Sequence, residues 1–150
     1  MDPSEIQRSL GQLVVTRKLL VVTALAEAGV GLTLLLSPPL VAGLLLGVSL
    51  DAPAALIVGR IAGAALLSLG GACWLARGDG PSRAQRGLVA AMLLYNCAAG
   101  AVLANAAAAV RLVGVLMWPA VALHAVLAVW CIACLRSGSA NASGRMRPNS

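Results

Sequence analysis

The chain has 150 residues, 60% of them hydrophobic and 11% charged, with a mean hydropathy of +0.92 and a formal net charge of +6 at pH 7. These values lie well outside those of water-soluble domains and exclude an aqueous globular fold for most of the chain. A basic excess of this size needs no nucleic-acid partner, and the composition makes the lipid bilayer the main one.

Residues 1–18 mix polar and apolar positions, carry Arg8, Arg17 and Lys18, and read as a cytoplasmic N-terminal segment. The apolar run from Leu19 to Leu36 follows. A hydrocarbon core of about 30 Å needs about 20 helical residues, so this run is long enough to span. Glu27 interrupts it and no small-x-small cleavage site follows cleanly, which makes it a span and not a signal peptide. Leu40 to Leu50 is too short to cross and sits between Pro38-Pro39 and Asp51-Ala52-Pro53, so it reads as an interfacial or re-entrant helix. Further spans are expected over Ala54–Ala76, Leu88–Val110 and Leu112–Leu135. These runs are rich in Ala, Leu and Gly and lack the alternation of a β-barrel, so the fold class is an all-α bundle of four transmembrane helices occupying 19–136. Residues 137–150, rich in Ser, Gly, Asn and Arg, read as a flexible cytoplasmic tail.

Arg8, Arg17, Lys18, Arg77, Arg83, Arg86, Arg136, Arg145 and Arg147 fall at one end of these spans, and Arg60 and Arg111 toward the other. By the positive-inside rule both termini and the 78–86 loop are cytoplasmic. Ten Arg against one Lys in an Ala/Gly/Leu-rich chain suggest a GC-rich bacterial genome, so the chain is read as a multi-pass protein of a bacterial inner membrane. Asn141-Ala142-Ser143 then lies on the wrong side for glycosylation. Small residues in Gly59-x-x-x-Gly63, Gly70-Gly71, Ala24-x-x-x-Ala28 and Gly43-x-x-x-Gly47 provide close helix contacts, either within one bundle or in a homodimer.

Polar groups inside spans carry the most information, because each is costly to hold in lipid. Each expected span contributes at least one: Glu27, Arg60, Asn96 with its neighbour Tyr95, and His124. At about 1.5 Å per residue, Glu27, Asn96 and His124 fall near mid-depth and Arg60 about 10 Å below the outer boundary. Glu27 shares a face with Thr23, Ala24, Val30 and Gly31, and Arg60 shares one with Gly63, Ala64 and Gly71. In one reading Glu27 and Arg60 neutralise each other while Tyr95, Asn96 and His124 complete a buried network. In the other, Glu27 and His124 form a proton-binding or ligand-binding pair.

Cys131-Ile132-Ala133-Cys134 offers a CxxC of possible redox character with Cys73 nearby, whereas Cys97 lies deeper. A cytoplasmic position keeps thiols reduced, and neither a second CxxC nor a nearby His completes a zinc set, so no metal is expected and packing is the favoured role. The chain contains no Walker loop, Rossmann fingerprint, HExxH or GxSxG, and no catalytic residue stands out.

The runs Ala26 to Pro38 (AEAGVGLTLLLSP), Gly59 to Gly63 (GRIAG), Ala72 to Arg77 (ACWLAR), Tyr95-Asn96 and Trp118 to His124 (WPAVALH) resemble a group of small bacterial four-helix integral membrane proteins, over about Leu19 to Leu135. More distantly the chain is similar to the DoxX-like superfamily, some of whose members associate with quinone-linked redox complexes. The resemblance implies that Glu27, Arg60, Asn96 and His124 belong together, and it implies no reaction. Three expectations follow. The first is a non-enzymatic accessory subunit, with a membrane protein partner, or a binder of an apolar small molecule or lipid, without a cofactor. The second is a DoxX-like redox component using a quinone. The third is a small proton-coupled transporter using Glu27, disfavoured because the chain has few aromatic residues and Arg60 would repel a cation.

Overall fold

The computed structural model describes residues 3–144. The described residues are all-helical: α1 (Pro3–Leu36), α2 (Pro38–Leu46), α3 (Pro53–Ala76), α4 (Arg83–Asn105) and α5 (Met117–Gly144), with one π-helical turn at Ala106–Val110. Four stretches are long and apolar enough to cross a membrane: Ser9–Leu36, Pro53–Ala76, Arg83–Val110 and Met117–Ser137. Leu25, Ile57, Leu75, Leu94 and Val129 are exposed on them, as lipid-facing side chains are.

Several boundaries differ from those expected. With no proline after Pro3 to break it, α1 runs unbroken through residues expected to precede the bundle, and its 34 residues reach about 50 Å. At the other terminus α5 continues past Arg136 to Gly144, so 137–144 extend the helix; Ser137 Oγ donates to the Ala133 carbonyl at 2.9 Å. Residues 145–150 of the expected tail, with Arg145 and Arg147, lie outside the described residues, as do Met1 and Asp2.

The short helix α2 starts on Pro38-Pro39, whose missing N–H groups cost nothing in a first turn. It stops at Gly47, which takes the left-handed conformation (φ 72°) that glycine adopts without strain. The third and fourth spans were expected to be separated by Arg111 alone, but residues 111–116 are not α-helical. Arg111 is itself left-handed (φ 61°) and ends the π turn. The following strand of backbone docks on α2: Gly114 N–H donates to the Leu45 carbonyl at 2.8 Å and Leu116 N–H to the Leu44 carbonyl at 2.9 Å. These bonds satisfy carbonyls that the end of α2 would otherwise leave unpaired.

At the opposite end, Ser82 caps α4 by accepting from Gln85 N–H at 3.1 Å. The buried Gln85 amide donates to the Asp79 carbonyl at 3.1 Å and the Ala76 carbonyl at 3.5 Å, tying the 77–82 loop to the end of α3. Arg77 lies over the Trp74 ring at 3.8 Å, a pairing suited to a membrane interface.

The helices form two pairs: α1 lies along α3 and α4 along α5, and the pairs meet chiefly where α1 approaches α5. The α1–α3 contact is backbone on backbone. A Cβ on Gly31 would stand 2.8 Å from the Gly63 carbonyl oxygen, and one on Gly63 would stand 2.7 Å from that of Gly31. Gly70 lies equally close to Ala24 and Ala28, so Gly63 and the Ala24-x-x-x-Ala28 stripe act inside one bundle. The apolar core sits between the pairs toward the 77–82 loop and joins Leu19, Leu20, Ala24, Cys73, Val89, Met92, Leu127, Cys131 and Cys134.

Candidate functional site

Above that core, four of the five expected polar residues come together, contributed by α1, α4 and α5. Glu27 projects from α1 on the buried face that also carries Leu20, Thr23, Ala24 and Gly31; its exposure is 4%. This face repeats at three- and four-residue steps and turns toward the other pair. Val30, expected on the same face, is exposed, because it lies one step short of Gly31 around the helix.

Tyr95 and Asn96 are consecutive on α4. The Tyr95 hydroxyl donates to Glu27 Oε2 at 3.1 Å and so bridges the two helix pairs. Asn96, 1% exposed, donates from Nδ2 to the Met92 carbonyl at 2.8 Å. That orientation turns its Oδ1 toward His124 on α5, 2.9 Å from Nδ1. Because Oδ1 only accepts, His124 carries its hydrogen on Nδ1, and Nε2 of the neutral ring is left as an acceptor. The Tyr95 and His124 rings meet edge to face at 5.7 Å. Gly100 lets α4 approach closely here, since a Cβ on it would lie 3.3 Å from His124 Cβ.

Arg60 does not join this group. It is exposed on α3, and among the described residues Glu27 has no basic partner. The reason is angular. Gly59, Gly63 and Gly70 form the seam of α3 that faces α1 and Pro38, whereas Arg60, Ala64 and Gly71 follow each of these by one residue and are rotated about 100° away, onto the exposed surface. The expected neutralisation of Glu27 by Arg60 is therefore absent.

Thr23 was read only as part of a face and proves to be a member of the site. It is 1% exposed, one helical turn before Glu27, and its Oγ1 has no hydrogen-bond partner. Its spacing of four residues from Glu27 was the available signal. A Thr hydroxyl in a helix commonly bonds back to its own backbone, as Thr33 does to the Gly29 carbonyl at 2.8 Å, and the orphaned state is visible only in three dimensions.

The cysteines take a different place. Cys73, Cys131 and Cys134 are free thiols buried in the apolar core, and Cys97 is free and exposed. Thr16 hydrogen-bonds to Cys134, and no described group of His, Cys, Asp and Glu has the geometry to hold a metal ion. No family model, curated protein or solved structure matches the chain.

Proposed function

We propose that this small membrane protein is a non-enzymatic binder of an apolar or amphipathic small molecule, such as a lipid, which it holds by a polar head in the cluster of Glu27, Thr23, Tyr95 and His124. The observation that supports this most is the orphaned Thr23 hydroxyl beside the Glu27–Tyr95 bond at the junction of two helix pairs. A cluster serving only to lock helices together would be expected to satisfy every buried polar group. A ligand head placed there gives Thr23 a partner while its apolar body lies among lipid-like side chains. A quinone fits less well. Only the Thr23 hydroxyl keeps a hydrogen for its two carbonyls, because Tyr95 already donates to Glu27 and the His124 hydrogen is directed at Asn96.

The charge pattern supports an orientation with the termini and the 77–82 loop in the cytoplasm. The test is to extract wild-type protein and the Glu27→Gln and His124→Ala variants in mild detergent and to identify bound molecules by native mass spectrometry. A small molecule retained by the wild type and lost from folded variants is expected. Equal retention by all three sinks the site, and a copurifying second chain with no small molecule selects an accessory subunit instead.

A further inference from the structure

The head group that this cluster suits follows from its unused hydrogen-bonding capacity and its charge. Glu27 is an acidic side chain buried within a span, with no basic residue beside it among the described residues, because Arg60 is turned outward onto the exposed face of α3. Tyr95 on α4 donates to it, Cys73 on α3 lies near it and the Thr23 hydroxyl stands one turn before it on α1, while Asn96 and His124 join the cluster through the Tyr95–His124 ring contact and the bond between them. Of these, the Thr23 hydroxyl keeps both its hydrogen and its lone pairs free, and His124 Nε2 and the carboxyl of Glu27 retain acceptor capacity.

Resting on the binding role above, we infer that the ligand is a lipophilic ammonium: an alkyl chain ending in a protonated primary amine. Its N–H groups donate to the Glu27 carboxylate and to the Thr23 hydroxyl oxygen, and its chain runs along the junction between the α1–α3 and α4–α5 pairs. This head supplies a counter-charge for Glu27 and a hydrogen-bond partner for Thr23. An anionic head would face the carboxylate directly, and a neutral carbonyl head could accept from the Thr23 hydroxyl but would leave Glu27 without a counter-charge. The Tyr95–Glu27 bond bridges the two helix pairs where the polar groups sit.

Three probes with one chain length separate the possibilities: dodecylammonium, dodecanol, and dodecyltrimethylammonium, which has charge but no N–H donor. Binding to the wild-type protein in lipid nanodiscs is read by native mass spectrometry and by tryptophan fluorescence. Dodecylammonium is expected to bind one per chain and at least about tenfold more tightly than either of the others, as for a charge-assisted hydrogen bond in a desolvated site. This ranking needs no variant, and a Thr23→Val protein, which keeps Glu27, should lose part of the preference for dodecylammonium over its trimethyl analogue. Dodecanol binding as tightly as dodecylammonium overturns the ammonium assignment and leaves the binding role standing. Equal binding of the two cations overturns N–H donation to Glu27 and Thr23. Binding of none of the three overturns the ammonium assignment, while the binding role stands or falls separately on whether the extracted wild-type protein retains a small molecule.

Discussion

Removing the Tyr95 hydroxyl leaves Glu27 without the donor that reaches it across the helix pairs. Tyr95→Phe should therefore destabilise the fold by about 1–3 kcal/mol, the usual cost of stranding a buried polar group. Thr23→Val should have the opposite sign. The hydroxyl is buried and unpartnered, so an isosteric apolar side chain should leave stability unchanged or raise it by about 1 kcal/mol in the absence of ligand. Unfolding titrations of the purified variants in mixed micelles, followed by tryptophan fluorescence, measure both. Arg60→Met, at an exposed position outside the cluster, should change little, and its effect should add to that of Glu27→Gln within about 0.5 kcal/mol. A strong non-additive rescue in the double variant would restore the Glu27–Arg60 pair and displace the arrangement described above. The presence of Glu27, Asn96 and His124 inside spans was legible from hydropathy alone. The exclusion of Arg60 was not, because a one-residue offset on α3 decides which way a side chain points, and only the partner helix defines that direction.

Among the elements, the α1–α3 contact depends on the absence of side chains. At Gly31 an added Cβ would lie 2.7 Å from the Leu67 backbone nitrogen, so the helices would have to separate. Gly31→Ala should lower stability by about 1–3 kcal/mol, as overpacking of a close interface does. Gly29→Ala and Gly71→Ala, where nothing lies within 4 Å of the added atom, should be neutral or slightly stabilising. Thermal denaturation in one detergent ranks the three. The small-residue patterns in the sequence pointed to close helix contact but gave equal weight to Gly71 and Gly63. The link at 111–116 was equally hidden. Its residues are apolar and read as the start of a span, yet they form a backbone ladder with α2, a partner more than 60 residues away in sequence.

For the molecule as a whole, the basic residues gather at the end that holds the 77–82 loop. In a variant lacking native cysteines, a new cysteine at Ser49 should react with a membrane-impermeant maleimide in intact cells, and one at Gly80 should react only after permeabilisation; both positions are exposed. The reverse pattern overturns the cytoplasmic orientation. Replacing Cys131 and Cys134 together by Ala should lower stability modestly, by about 1–2 kcal/mol for two small truncations in the core, without changing small-molecule retention. By itself the sequence determined the class of solvent, the number and approximate extent of the spanning helices, the short helix after the first of them, and which residues are costly to place in lipid. Hydropathy and proline positions act locally and leave a local record. Tertiary structure alone decided the two-by-two pairing of helices, the turning of Arg60 away from Glu27, the bond from Tyr95 to Glu27 and the orphaning of Thr23. Each of these depends on how one helix is rotated against another, and in lipid that rotation is set by close fit between small residues rather than by the uniform apolarity that all four spans share.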